Sequence, residues 1–447
     1  MYIGVLLKSE NRIIMVNDYE LESSSISEYG RSNFSVSTMC YNYLKIYDQM
    51  TDNTSSQRIL LIDVNCKNSS TGKIVYDLYR KIIADGRKAA ICYGRGEKIF
   101  EDNIYKFGLD WETYLHAGLS RITGYNGCFS ALSTLRLIKY LKKFKPDIIH
   151  IHELHAYFVN IKPILNYIKK NNIPVVWTFH CEYMYTGKCG HAEECVNFMY
   201  NCGNCPKIRE YPKSLLFDKT SQMLSEKKNL LKDLDFQIIT PSKWLADRVK
   251  LSYLKDKDIR VVHNGVDTDI FYPRNEIDVK RKYNIDKNAI MIIAVGNDIL
   301  SDNKGGKYLL ELSSSGEFEN VDFVLVGVRK SDINELRHKY NSHDKDSQLI
   351  IESKSSRTKV HLIPLINNQI ELACIYSAAD LLLLTSKKET YSLPCAEALC
   401  CGTKVVGFEC GAPETIFGGK YAKFVTYGDL EALKKEIKTS IDINNNL

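Results

Sequence analysis

Residues 378–408 read AADLLLLTSKKETYSLPCAEALCCGTKVVGF. The opening run, Ala378 to Thr385, is short, apolar and bounded by polar residues, the pattern of a strand buried in a parallel sheet. Glu389 follows in the loop past the carboxyl end of that strand. Ser392 is placed to cap a helix, and Pro394 fits the helix's first turn, where a missing N–H costs little. Glu397 falls inside that turn or just beyond it; Gly402 ends the helix and Lys404 to Phe408 begin the next strand. Strand, acidic loop and helix N-terminus in this order suit a ligand site. Open α/β sheets bind ligands outside the carboxyl ends of their strands, and the free N–H groups of a helix attract anions such as a diphosphate. Two carboxylates beside an anion site are suited to accept hydrogen bonds from hydroxyls of a sugar or a ribose. Two exposed helix-start acids would look the same in sequence.

The whole chain has 447 residues, enough for two or three domains. Its 44% hydrophobic and 26% charged content is that of a soluble globular protein. A net charge of +6, without aromatic and basic residues interleaved, does not point to nucleic acid. No apolar run is long enough to span a bilayer, and Met1 to Ser9 lacks the long apolar core of a signal peptide. A cytoplasmic location is expected, and the 14 cysteines, scattered and not spaced as a disulfide frame, agree with it.

The spacing Glu389-x7-Glu397, continued by EALCCGTKVVGFECGAPE, resembles the donor-site signature of GT-B glycosyltransferases of the GT4 type. Glu389, Thr390, Tyr391, Ser392, Leu393, Glu397, Ala398, Leu399, Gly402, Val405 and Val406 match it, and Lys404 replaces its usual proline. NGVDTDIFYP (Asn264 to Pro273) is similar to a second family motif, which marks the crossing between two domains. The resemblance implies an α/β fold of two Rossmann-like domains facing each other across a deep cleft. It also implies transfer of a sugar, with retention and without a catalytic metal or other cofactor, from a nucleotide-diphosphate donor to a hydroxyl acceptor. In that picture Glu389 contacts the transferred sugar and Glu397 the ribose. Thr390, Tyr391, Ser392 and Leu393 belong to the donor site with them.

The expected organisation is an N-terminal extension over 1–57, loosely packed on the first domain or partly disordered. An acceptor domain follows over 58–270, then a donor domain over 271–436 and a polar tail over 437–447. Arg58 to Asn65 reads as a first strand, with a polar, Gly-containing loop after it. By resemblance Ser70, Thr71 and Gly72 line donor phosphates or acceptor. Leu132 to Lys145 is a helix with Leu135, Ile138 and Leu141 at near-helical spacing and a side made basic by Arg136, Lys139, Lys142, Lys143 and Lys145. That side is a solvated face or a contact with anionic lipid; a lipid-linked glycan acceptor would make peripheral attachment to the cytoplasmic membrane face useful. His150, His152 and His155 end one strand and His180 another. Position favours His180, where the family often has a histidine near the sugar or its leaving phosphate, and then His152.

Cys189, Cys195, Cys202 and Cys205 lie within one Cys-rich loop (181–206), the last two as C-x2-C. They read as a structural zinc site or as reduced free thiols. A similar loop occurs in enzymes of surface-polysaccharide pathways, which points the resemblance to capsule, exopolysaccharide or lipopolysaccharide assembly. After the strand Ala289 to Gly296, Lys304 precedes Gly305 as in the family, while Asn297 stands where an arginine is usual. A cation there stabilises the charge of a leaving diphosphate, so Arg329, after the next strand, is the candidate substitute. The rival readings are a binding subunit that has lost activity, to which Asn297 points, and another GT-B chemistry such as epimerisation of a sugar nucleotide.

Overall fold

The computed structural model describes residues 5–9, 12–16, 18–51, 57–274, 277–340, 342–345, 348–352 and 358–442. They form two compact units: Val36–Gly265, and Met1–Ser35 together with Val266–Leu447.

The unit Val36–Gly265 is built on seven parallel strands. They lie in the order Ile104–Lys106, Lys88–Tyr93, Arg58–Asp63, Ile148–Ile151, Val175–Thr178, Phe236–Thr240 and Ile259–Val261. The central strands are apolar throughout because both faces of the sheet are covered. Successive side chains point to opposite faces, so Leu60, Ile62, Ile149 and Ile151 enter one core, and Ile59, Leu61, Ile91 and Ile148 the other.

The second unit repeats the plan with eight strands, ordered Ser342–Lys345, Gln348–Glu352, Lys359–Ile363, Val321–Val326, Ile290–Val295, Leu381–Leu384, Lys404–Phe408 and Ala422–Val425. All neighbours are parallel except the two pairings made by Gln348–Glu352. Each sheet has a reversal of chain order between two parallel neighbours: Arg58–Asp63 and Ile148–Ile151 in the first, Ile290–Val295 and Leu381–Leu384 in the second. Such a reversal opens a crevice at the strands' carboxyl ends, because the two following loops leave toward opposite faces.

The described residues before Arg58 depart from the expected loose extension. Helix Val36–Met50 inserts Met39, Cys40, Tyr43, Ile46 and Tyr47 into the core beside Ile59 and Leu61. Helix Asp18–Phe34 belongs to the other unit, where Ile26 and Phe34 join the core of Cys400 and Phe417. There Ser27 Oγ donates to the Cys400 carbonyl at 2.7 Å. The burial of Tyr43 and Tyr47 is the reason the segment is ordered: aromatic rings bury large apolar areas. Val266 N–H donates to the Phe34 carbonyl, which holds the start and the return of the second unit together. The last helix, Leu430–Asp442, packs Leu433, Ile437 and Ile441 on this second sheet; part of the expected polar tail is therefore helix, and 443–447 lie outside the described residues.

Candidate functional site

In the second unit, the loops after the two strands at the reversal point carry Asn297 and Lys304 on one side and Glu389 on the other. The loops are pressed together. Gly305 has φ +70°, and a Cβ there would stand 2.1 Å from the Thr385 carbonyl oxygen, so only glycine fits. Thr385 Oγ1 donates to the Lys304 carbonyl at 2.7 Å and Lys387 N–H to the Asn303 carbonyl at 2.9 Å. Lys304 Nζ is thereby brought to 2.6 Å from Glu389 Oε1. The carboxylate holds the ammonium above its ordinary pKa, against the opposing effect of burial. Glu389 is fixed by its backbone as well: its N–H donates to the Cys410 carbonyl at 2.8 Å and its carbonyl accepts from Ala412 N–H at 3.1 Å. Glu414 stiffens that partner loop, accepting from Cys410 N–H at 3.0 Å and Gly411 N–H at 2.9 Å.

Glu397 lies in helix Leu393–Cys400 and is only 5% exposed, which rules out a pair of solvated helix-start acids. Its Oε2 accepts from the Tyr376 hydroxyl at 3.0 Å. Two expectations for this stretch need correction. Ser392 stands at the helix N-cap with φ +85°, and its hydroxyl bonds Cys395 Sγ at 3.3 Å without capping the helix. The left-handed backbone aims the side chain away from the first-turn N–H groups. Tyr391 buries its ring in the core, edge-on to Phe417 at 5.5 Å, and so anchors the helix start rather than presenting its hydroxyl. Thr390 and Leu393 are half-buried beside it.

Asn297 is exposed. Arg329 reaches the same loop, with Nε 3.0 Å from Asp298 Oδ1 and 3.1 Å from Asp332 Oδ2. The neighbour of Asn297 thus has a cation beside it, but one engaged by two carboxylates.

In the first unit the strand ends gather a polar cluster. His152 Nδ1 and His180 Nε2 share a hydrogen bond of 2.9 Å, their rings stacked at 5.2 Å. Burial draws His180 down to about 4 and His152 well below its ordinary value, so both imidazoles are neutral at neutral pH. His150 is structural: it is buried between the Tyr47 hydroxyl at 2.6 Å and Thr178 Oγ1 at 2.8 Å. Asp63 is buried at the end of the central strand, and burial raises its carboxyl pKa, with Glu153 adding to the effect. Ser69 caps helix Ser70–Ala84, accepting from Gly72 N–H at 2.9 Å. A Cβ on Gly72 would crowd Ser69 Oγ at 2.9 Å and Asn65 at 3.2 Å, so this glycine lets the helix start close against the strand end.

Two features here escaped the sequence. Glu153, His155 and Cys181 bring their ligand atoms within 4.8 Å of one another, a set able to hold a metal ion. It joins two loops distant in sequence, so no spacing announces it. Helix Asp110–Thr123 is inside out: Glu112, Thr113, His116 and Ser120 are buried, while Trp111 (56%), Tyr114 (76%), Leu115 (52%) and Ile122 (53%) are exposed. Two of these buried polar groups are paired with the start of the next helix, Ala131–Phe144. Glu112 accepts from Leu132 N–H and Ser133 N–H, each at 2.8 Å, and His116 Nδ1 lies 2.8 Å from Ser130 Oγ. On that next helix Leu137 and Leu141 face the core, but Leu135, expected in the apolar stripe, is 61% exposed. Among the described residues no helix is long and apolar enough to cross a membrane.

Among curated proteins, the chain is 23% identical over 233 residues to WcaC of Escherichia coli (strain K12), assigned as a colanic acid biosynthesis glycosyl transferase; the match covers 47% of this chain and 54% of that protein. It is 25% identical over 176 residues to the N-acetyl-alpha-D-glucosaminyl L-malate synthase of Bacillus anthracis, covering 39% of this chain and 42% of the enzyme. The chain thus spans about half the length of the curated relatives it matches. Among solved structures, sucrose-phosphate synthase from Thermosynechococcus elongatus superposes with a TM-score of 0.58 at 16% identity, over 86% of this chain and 90% of that one. HepE of Anabaena, in complex with UDP and glucose, superposes with a TM-score of 0.52 at 14% identity, over 87% and 91%. The model of Glycosyltransferase Family 4 matches residues 72–270, and that of Glycosyl transferases group 1 matches 275–446. Each match falls on one of the two parallel-sheet units, and the chain belongs to the GT4-type glycosyltransferases of GT-B fold.

Proposed function

We propose that the protein transfers a sugar from a nucleotide-diphosphate sugar to a hydroxyl of a glycan or lipid-linked glycan, in assembly of a cell-surface polysaccharide. The observation that carries this reading is the Lys304–Glu389 pair, 2.6 Å apart at the reversal point of the second sheet. Lys304 supplies a cation for the leaving diphosphate, aided by the N–H groups of helix Leu393–Cys400. Glu389 accepts from hydroxyls of the transferred sugar, and Glu397, steadied by Tyr376, accepts from the ribose. Neutral His180 contacts the sugar or its leaving phosphate, with His152 fixing its ring. In the reaction the bond from the anomeric carbon to the diphosphate oxygen breaks, and the acceptor oxygen bonds to that carbon on the same face. The acceptor's proton leaves with the diphosphate. No side chain is assigned as a covalent nucleophile, and no catalytic metal is invoked.

The relative assigned to colanic acid biosynthesis supports the polysaccharide assignment, and the UDP and glucose of HepE make UDP-sugars the first donors to try. The exposed apolar face of helix Asp110–Thr123, followed by the basic residues Lys139, Lys142 and Lys143, supports peripheral contact with an anionic membrane face carrying the acceptor.

Thermal-shift and hydrolysis assays against UDP-, GDP-, ADP- and dTDP-sugars test the proposal. The expected result is stabilisation by one donor and slow release of its nucleotide, both lost in Glu389→Gln. A folded protein that answers no donor would instead favour an inactive binding subunit. The observation behind that second reading is Asn297, whose nearby Arg329 is already paired with Asp298 and Asp332.

A further inference from the structure

Cys189, Cys195, Cys202 and Cys205 line one small cavity in the first unit, whose wall is otherwise largely apolar, with Ala192, Phe198 and Pro206 among its residues. Gly187 N–H donates to Cys202 Sγ at 3.3 Å. From the first cysteine of the C-x2-C pair the chain takes three consecutive left-handed residues, Cys202 (φ +47°), Gly203 (φ +88°) and Asn204 (φ +45°). Two of these are not glycine, and such backbone persists only where other contacts compel it. The loop is tied down around the cavity, since Glu182 accepts from Arg248 Nε at 2.6 Å and from Tyr185 OH at 2.9 Å.

Two buried lysines flank this cluster. Lys227 Nζ donates to the carbonyls of Tyr183 at 2.6 Å, Thr186 at 3.1 Å and Gly187 at 3.3 Å. Lys188 Nζ donates to those of Ile208 at 3.3 Å and of Glu210 and Pro212 at 2.8 Å. These bonds hold the backbone of the loop around the four cysteines.

We propose that Cys189, Cys195, Cys202 and Cys205, gathered around one cavity, bind a zinc ion as four thiolates. Binding releases four thiol protons to solvent and changes no oxidation state. Zinc–sulfur bonds of about 2.3 Å would draw the sulfurs into a tetrahedron, closing the cavity. With all four positions taken by protein, the ion is structural and holds the loop's left-handed turn in place.

Metal content of the full chain, purified without added zinc and dialysed extensively, tests this. The expected result is about one zinc per chain. It is lost in Cys202→Ser and Cys205→Ser and kept in Glu153→Gln and Cys181→Ser, which disable the other metal-capable set. Should the loop variants fail to fold, cobalt exchanged into the unmodified protein decides: the visible bands of a tetrahedral tetrathiolate support the site. A cobalt spectrum with nitrogen or oxygen ligands, or zinc lost on Glu153→Gln, would assign the metal to Glu153, His155 and Cys181 and overturn the proposal. Folded, reduced, metal-free protein would overturn it too. Zinc content does not depend on donor use, so this result and that of the donor assays stand apart.

Discussion

At the scale of single residues, the contact between Lys304 and Glu389 does two jobs. It sets the direction of the ammonium and keeps it charged, because the carboxylate raises its pKa. Lys304→Met and Glu389→Gln should each lower transfer by about 10²- to 10³-fold, the usual effect of removing one preorganised electrostatic contact, with circular dichroism and melting temperature little changed. Both residues were legible in sequence, through their match to the family motifs and their place in the loops after two buried strands. His116 was not, because nothing in its neighbourhood announces that a helix buries its polar side. Burial draws His116 down to about 4, while an unfolded histidine titrates near 6.5. The unfolded chain therefore takes up a proton first as pH falls. The stability linked to this neutral imidazole is complete above pH 6.5 and is lost between there and about pH 4, an effect of about 3 kcal/mol. Denaturant midpoints at pH 7 and 4.5 should differ less in His116→Gln than in the unmodified protein; an unchanged difference would put the acid sensitivity elsewhere.

At the scale of elements, helix Asp110–Thr123 is the departure from ordinary patterning. Its residues 111, 114, 115, 118 and 122 share one face, and that face is apolar and turned to solvent. The other face is polar and buried because Glu112 satisfies the N-terminal N–H groups of the following helix. An amphipathic pattern read alone gives the stripe and not which side of it is covered, so a sequence reading would turn this helix the wrong way round. If the apolar face meets a bilayer, Trp111→Glu with Leu115→Glu should abolish sedimentation with anionic vesicles while leaving stability and donor binding intact. Neutral vesicles should retain the protein less well than anionic ones, since Lys139, Lys142 and Lys143 contribute the electrostatic part. Unaltered vesicle binding in the double variant would remove this helix from the contact.

At the scale of the whole molecule, the chain begins in one unit, builds the other from Val36 to Gly265, and returns. Its first helix is therefore part of the unit that carries Glu389 and Glu397. The contact is close: a Cβ on Gly30 would stand 2.6 Å from the backbone nitrogen of Cys400, in the helix that bears Glu397. Backbone cannot step aside as a side chain can. Gly30→Ala should thus cost about 1–3 kcal/mol, the usual range for overpacking. The loss should fall on the unit of Val266–Leu447 alone, which hydrogen exchange resolved by segment would reveal as faster exchange there and unchanged protection in Val36–Gly265.

The sequence by itself determined the two parallel sheets, the order of strand and helix around each, and the acidic loop with its lysine. All of these rest on short-range signals: apolar runs, Gly and Pro punctuation, and residues set directly after a strand. Tertiary structure decided what depends on contacts between distant segments. It set the homes of the first two helices through the burial of Phe34, Tyr43 and Tyr47, and the conversion of Ser392 from cap to left-handed turn. It also set the outward apolar face of one helix and the gathering of four cysteines around one cavity. Burial is a property of the packed chain, and each of these outcomes turns on which face of a segment the rest of the molecule covers.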